Sequence, residues 1–235
     1  MLRALLFDFN GVLVDDEPVH LRLFRKVLQE EGLELTDRDY FERYLGLDDR
    51  GCFGEVLERA GRPASAAAVM RLVVRKASYY QEWAHREGLT FFPGAVELVR
   101  EAAASGLVLG LVSGALRQEI DQALRQAGIR ELFKILIAAE DVVASKPDRE
   151  GYVRGLEELN SVPPAPDRLI HPHEVLAIED SPAGIAAAAA AGLVTLGVAQ
   201  TYSAERLHDA DSVVPCLAGL GVERLQKLYA AVSRA

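Results

Sequence analysis

Apolar and polar positions follow two different rhythms along this chain. Ala4 to Phe9 is a short apolar run that stops at polar residues and Gly11, the pattern of a buried strand. Pro18 to Glu31 then carries Val19, Leu21, Leu23, Phe24, Val27 and Leu28 at roughly helical spacing, and Gly32 ends it. From there to about Gly88 no strand-like run bounded by turns occurs. Val56, Leu57 and Ala60 fit one helix, and Ala66 to Trp83 fits a second, longer one whose Tyr79, Tyr80 and Trp83 read as its own core. The middle of the chain is predicted to be all-helical.

From Pro93 the rhythm changes. A helix over Ala95 to Ala104 ends at Gly106, and Leu107 to Val112 reads as a strand. Ser113-Gly114 follows, then a helix to Gly128, a strand over Phe133 to Ala138 and a helix over Arg149 to Leu159. Ser161 to Glu174, rich in proline, is predicted as a loop. Val175 to Ile178 and Val194 to Val198 read as strands around an alanine-rich helix from Pro182 to Ala191. A short strand near Val213 and a helix from Val222 to Val232 close the chain.

Strands alternating with helices predict an α/β fold with a doubly wound parallel sheet. A lone strand is not stable in water, so Ala4 to Phe9 must join that sheet. The expected organisation is a core of residues 1–15 and 93–235 interrupted by a helical insertion over 16–92.

Composition narrows the function classes. Half the residues are hydrophobic, enough for a sizeable core, and the formal net charge of -9 disfavours nucleic acid. An anionic ligand must then be drawn in by a local cation. Cys52 and Cys216 are far apart without metal-ligand spacing, so neither a disulfide framework nor a zinc site is expected, and both are read as inert. No signal peptide and no membrane span of about eighteen apolar residues is read, which makes a cytoplasmic location the default expectation.

The candidate chemistry lies where predicted strands end. The first strand ends in Asp8-Phe9-Asn10-Gly11, the second in Ser113-Gly114, and a later one in Glu179-Asp180-Ser181-Pro182. Ser145-Lys146-Pro147 follows the third strand by a few residues. Open parallel sheets bind ligands at this carboxyl edge. Carboxylates gathered there need a cation, and hard oxygen ligands suit Mg²⁺ with a substrate phosphate. Lys146 could neutralise phosphate oxygens, Ser113 could donate to them, and Gly114 lets backbone N–H groups approach. An aspartate can attack phosphorus and form an aspartyl-phosphate. Ser181-Pro182 also reads as a helix N-cap with proline at the first helical position.

These segments resemble the motifs of the haloacid dehalogenase superfamily. Phe7-Asp8-Phe9-Asn10-Gly11-Val12, Val112-Ser113-Gly114, Ser145-Lys146-Pro147 and Glu179-Asp180-Ser181-Pro182-Ala183-Gly184 look like its motifs one to four, in order, over the whole chain. The subgroup it is most similar to contains β-phosphoglucomutase and phosphoglycolate phosphatase. The resemblance implies a Rossmann-like core with an inserted helical cap, hinged near Asp15–Pro18 and Phe91–Gly94. It implies Mg²⁺ held by Asp8, the backbone carbonyl of Asn10, Asp180 and, directly or through water, Glu179. Asp8 would be the nucleophile, Ser113 and Lys146 would hold the phosphoryl group, and Gly114, His20 and Arg50 would help bind a small phosphorylated metabolite.

One position departs from the family. Its phosphatases and mutases carry a second aspartate where this chain has Asn10, and an amide cannot trade a proton at neutral pH. General acid–base catalysis is typically worth about 10²–10⁴-fold. The expectation is therefore a Mg²⁺-dependent phosphatase slowed at this step, with Asp15, Asp16, Glu17 and His20 as replacement candidates. The alternatives are a non-catalytic phosphometabolite-binding protein and a β-phosphoglucomutase-like phosphomutase. The stretch from Tyr44 to Arg50 lacks the cap lysine of phosphonate-cleaving members, and its Asp48-Asp49-Arg50 differs from the mutase pattern, which favours the hydrolase. His171 and His173 are read as surface loop residues and Arg117 as a solvated helix residue. His20 either faces the cleft, as the resemblance implies, or is solvated.

Overall fold

The computed structural model describes residues 1–232. In chain order run β1 (Ala4–Phe7), α1 (Glu17–Glu30), α2 (Asp37–Asp39) continued by a π-helical turn at Tyr40–Tyr44, α3 (Asp49–Arg59) and α4 (Ala66–Glu87). Then follow α5 (Ala95–Ala104), β2 (Val108–Val112), α6 (Arg117–Gln126), β3 (Phe133–Ile137) and α7 (Glu150–Ser161). The described chain ends with β4 (Val175–Glu179), α8 (Pro182–Ala190), β5 (Val194–Val198), β6 (Ser212–Val214) and α9 (Val222–Val232). It divides into two compact units, Met1–Asp15 with Phe91–Ala235, and Asp16–Thr90.

The first unit holds a parallel sheet in the order β3-β2-β1-β4-β5-β6, so the fold class is α/β as expected. β1 lies centrally, pairing with β2 on one side and β4 on the other. Helices on both faces explain why β1 reads as continuously apolar: all of Ala4, Leu5, Leu6 and Phe7 are buried. Ala4 and Leu6 point with Val112, Ile135, Ile137 and Ala177 toward Tyr152 and Leu159 of α7 and Ala187 and Ala188 of α8. Just past β1, Val14 forms an antiparallel bridge with Phe91, and the Phe92 N–H donates to the Leu13 carbonyl at 2.9 Å.

The second unit packs α1, α3 and α4 around Phe24, Val27, Leu28, Phe53, Val69 and Leu72. Side-chain caps set two helix starts: Asp48 accepts from the Gly51 N–H and Ser65 from the Ala68 N–H. Its interior also holds charge. The Lys76 ammonium is buried, 2.7 Å from His20 Nδ1 and 2.5 Å from Asp49 Oδ1. Asp16 Oδ2 receives the Tyr80 hydroxyl at 2.5 Å and lies 3.2 Å from His20 Nε2.

Several local expectations need correction. Asp37 to Tyr44, left without an element by the sequence pattern, is helical, with Thr36 accepting the Asp39 N–H at 3.0 Å as its cap. α3 begins at Asp49, upstream of the apolar residues that signalled it, and α4 runs on past Trp83 to Glu87. The proline-rich segment contains a 3₁₀ turn at Pro172–Glu174. His20 is not solvated: it is buried between Asp16 and Lys76. Burial and Lys76 push its pKa down, and Asp16, by charge and hydrogen bond, outweighs them, so the net shift is upward.

Candidate active site

Asp8 follows β1 directly, and its N–H extends the ladder by donating to the Ile178 carbonyl of β4 at 3.0 Å. Three residues on, Gly11 turns the chain back at φ 75°, with its N–H on the Val14 carbonyl. That glycine is required twice over. The left-handed backbone strains any side chain, and an added Cβ would sit 1.9 Å from Asp180 Oδ2. Glu179 is the last residue of β4 and Asp180 the next, so the two central strands deliver their carboxylates side by side. Ser181 caps α8 by accepting the Gly184 N–H, and Pro182 supplies the fixed φ of its first turn.

Lys146 arrives from the loop after β3. That loop is folded by Glu150 at the start of α7, whose carboxylate accepts the Val143 N–H at 3.0 Å and the Ala144 N–H at 2.8 Å. The Lys146 ammonium then donates to the Val112 carbonyl at the end of β2, 3.1 Å away. It lies 2.9 Å from Asp8 Oδ1 and 2.6 Å from Glu179 Oε1. Ser113, next to that carbonyl, is buried, and its Oγ accepts the Ala115 N–H at 3.1 Å. Gly114 is exposed beside it.

Asp8, Glu179 and Asp180 each offer a buried carboxylate oxygen within 4.8 Å of the others. Burial pushes the Glu179 carboxyl up to about 7, with Asp8 adding to it against the pull of Lys146 and Tyr152. Asp180 is pushed well above the usual carboxylate range, first by burial and then by Asp8 and Glu179. Lys146 is pulled down by burial but raised on balance by Asp8 and Glu179. One ammonium thus faces more negative charge than it can neutralise. Glu179 Oε2 is buried with no hydrogen-bond partner. An oxygen-only cluster with surplus charge and an orphaned lone pair fits a hard divalent cation such as Mg²⁺, and offers no nitrogen or sulfur to favour a softer one.

Three groups escaped the sequence reading. The Tyr152 hydroxyl of α7 donates to Glu179 Oε1. Thr201 hydrogen-bonds Asp180 through its side chain, and the Gln200 amide donates to the Gly11 carbonyl at 2.8 Å. Gln200 and Thr201 follow the end of β5, the same carboxyl edge that exposed the other candidates. Tyr152 carries no local signal of its own. Arg117 also departs from expectation: it is half-buried, paired with Asp141 and donating to the Leu136 carbonyl at 3.0 Å. His171 and His173 are exposed, as expected, with their rings stacked at 5.7 Å. Cys52 is buried, its thiol pushed upward by burial, and Cys216 is exposed. His20 and Arg50 belong to the second unit, Arg50 half-buried in the first turn of α3.

The model of the haloacid dehalogenase-like hydrolase family matches residues 5–198. The chain belongs to that family. Among curated relatives, the protein CbbY of Rhodobacter capsulatus is 29% identical over 97% of this chain and 99% of its own. The validoxylamine A 7'-phosphate phosphatase of Streptomyces hygroscopicus subsp. limoneus is 29% identical over 90% and 92%. In fold, the chain is similar to the crystal structure of β-phosphoglucomutase from Clostridium difficile, with a TM-score of 0.86, 23% identity and complete coverage of both chains. The family expected from the four motifs is therefore correct, and relatives of the chain are phosphatases by name. Among the described residues, no helix is long and apolar enough to cross a membrane.

Proposed function

We propose that this protein is a Mg²⁺-dependent phosphoric monoester hydrolase acting on a small phosphorylated metabolite, with Asp8 as nucleophile. The observation that carries the reading is the convergence of Asp8, Glu179, Asp180 and Lys146 at the carboxyl ends of the central strands. Asp8 and Asp180 would hold the cation with the backbone carbonyl of Asn10, and Glu179 would reach it directly or through water. Bound there, Mg²⁺ would neutralise carboxylates and phosphate oxygens together.

Asp8 Oδ would attack phosphorus, forming an acyl-phosphate as the ester oxygen departs. Lys146 and the Ser113 hydroxyl would hold the phosphoryl oxygens, with Gly114 leaving its backbone open to them, and water would then hydrolyse the acyl-phosphate to release phosphate and restore Asp8. Lys146 also aims Asp8, its ammonium lying 2.9 Å from Oδ1. Asn10 cannot protonate the departing oxygen, so that proton comes from water, and the step is expected to be slowed by about 10²–10⁴-fold, roughly 2.7–5.4 kcal/mol of barrier. Substrate contacts by His20 and Arg50, and the role of residues 16–92 as a cap, rest on the family resemblance. A Thermotoga maritima relative named phosphorylated carbohydrates phosphatase, 28% identical over 82% of each chain, supports a sugar-phosphate ester as the class to try first.

Asn10 favours one second reading, a phosphometabolite-binding protein without efficient turnover. Phosphate release from sugar phosphates, phosphoglycolate and an aryl phosphate, with Mg²⁺ or chelator, separates the two. The hydrolase reading expects Mg²⁺-dependent release that Asp8→Asn abolishes and Asn10→Asp raises. Silence from both the chain and Asn10→Asp, with a phosphorylated compound still bound, would leave the binding reading.

A further inference from the structure

We propose that Tyr152 is a positioning residue of this site, its hydroxyl holding Glu179 so that one carboxylate oxygen stays free for the cation or a water bound to it. The inference rests on the metal-dependent reading above.

Tyr152 sits on α7 with its ring wholly buried in the apolar cluster beneath the sheet. A phenylalanine would serve that packing equally well. The hydroxyl is what the packing does not require, and it is spent on Glu179 Oε1. The same oxygen takes the Lys146 ammonium at 2.6 Å, and that ammonium stands 5.5 Å from the centre of the Tyr152 ring. One aromatic side chain therefore touches both the acid and the base of the pair.

The two donors saturate Oε1 and leave Oε2 buried without a partner. The carboxylate itself packs into the room that Gly184 leaves by lacking a Cβ: one built there would lie 1.9 Å from Oε2. A phenol carries its proton at neutral pH, so it remains a donor. Donors of this kind, one step out from a metal, orient the ligand and raise its affinity for the ion.

The test is calorimetric titration of Mg²⁺ into the full chain, and into Tyr152→Phe, Tyr229→Phe and Asp180→Asn, at one pH. Tyr229 also has a buried ring, and its hydroxyl donates to a backbone carbonyl, that of His173 at 2.7 Å, so its variant reports the general effect of losing a phenol hydrogen bond. The expected result is Mg²⁺ affinity about 10–100-fold weaker in Tyr152→Phe, unchanged in Tyr229→Phe and abolished in Asp180→Asn. Affinity in Tyr152→Phe equal to that of the parent would overturn the positioning role and leave the hydrolase reading intact. A parent chain that takes up no Mg²⁺ would overturn both.

Discussion

Gly184→Ala offers a sharp test of how tightly the site is built. Glycine is a poor helix residue, and replacing one in an exposed helix by alanine gains about 0.5–1 kcal/mol. Gly184 lies inside α8, yet an added Cβ would fall 1.9 Å from Glu179 Oε2, 2.1 Å from its Cδ and 2.3 Å from Oε1. Glu179 is fully buried, so its carboxylate cannot swing out to water. It must move within the site and give up its bonds from Lys146 and Tyr152. Hydrogen bonds to a charged group are worth about 1.5–3 kcal/mol each. Losing both costs about 3–6 kcal/mol, and the helix gain offsets about 1 kcal/mol of it. A net loss of about 2–5 kcal/mol is expected. Gly54→Ala is the counterpart: it sits in α3 with nothing within 4 Å of the added Cβ, and should gain about 0.5–1 kcal/mol. Urea unfolding followed by far-UV circular dichroism reads both. Gly184→Ala as stable as the parent would refute the claim that this glycine is kept for the carboxylate.

The metal response should depend on pH. Glu179 has its carboxyl raised from 4.5 to about 7 by burial and by Asp8, so its neutral form favours the metal-free fold below 4.5, and this contribution is lost as pH rises through about 7. Mg²⁺ needs the ionised form, so its affinity should fall about tenfold per pH unit below that value, and its effect on Tm should be larger at pH 8 than at pH 5.5; equal effects at both would refute this. Lys146→Met removes the cation shared by Asp8 and Glu179 and should cost about 3–5 kcal/mol at high pH, less in acid where Glu179 can take a proton, as denaturant titrations at two pH values would show. Lys76→Met should destabilise the helical unit by about 1–3 kcal/mol, read by thermal melting, because His20 and Asp49 lose a buried donor.

What could be read from the sequence was whatever repeats locally. β5 and α9 fall where their apolar spacing put them, and Ser181-Pro182 caps α8 as its residue types suggest. Asp8, Lys146, Glu179 and Asp180 were legible because each lies at a strand's end or in the loop after it, and a parallel sheet aligns those ends. Tyr152 was not, because a tyrosine on an apolar helix face looks the same whether or not its hydroxyl finds a carboxylate across the fold. Lys76 likewise carries no local signal, and only the packing of α4 against α1 places it beside His20. Asp37 to Tyr44 was missed because its charges mask a short helix held by the Thr36 cap.

The bridge between Val14 and Phe91 has a consequence for how this chain can change over generations. Both ends of the insertion are stapled to each other within the sheet-bearing unit, by that bridge and by the Phe92–Leu13 hydrogen bond. Seen from the sheet, everything between them is a loop whose mouth is already shut. Closure entropy grows only with the logarithm of loop length, so the enclosed segment can be lengthened, shortened or exchanged at small cost to the strands. The acidic cluster draws its residues from outside the staple, from Asp8 on one side and Glu179 and Asp180 on the other. The acidic cluster can thereby be inherited unchanged while the intervening module is rewritten.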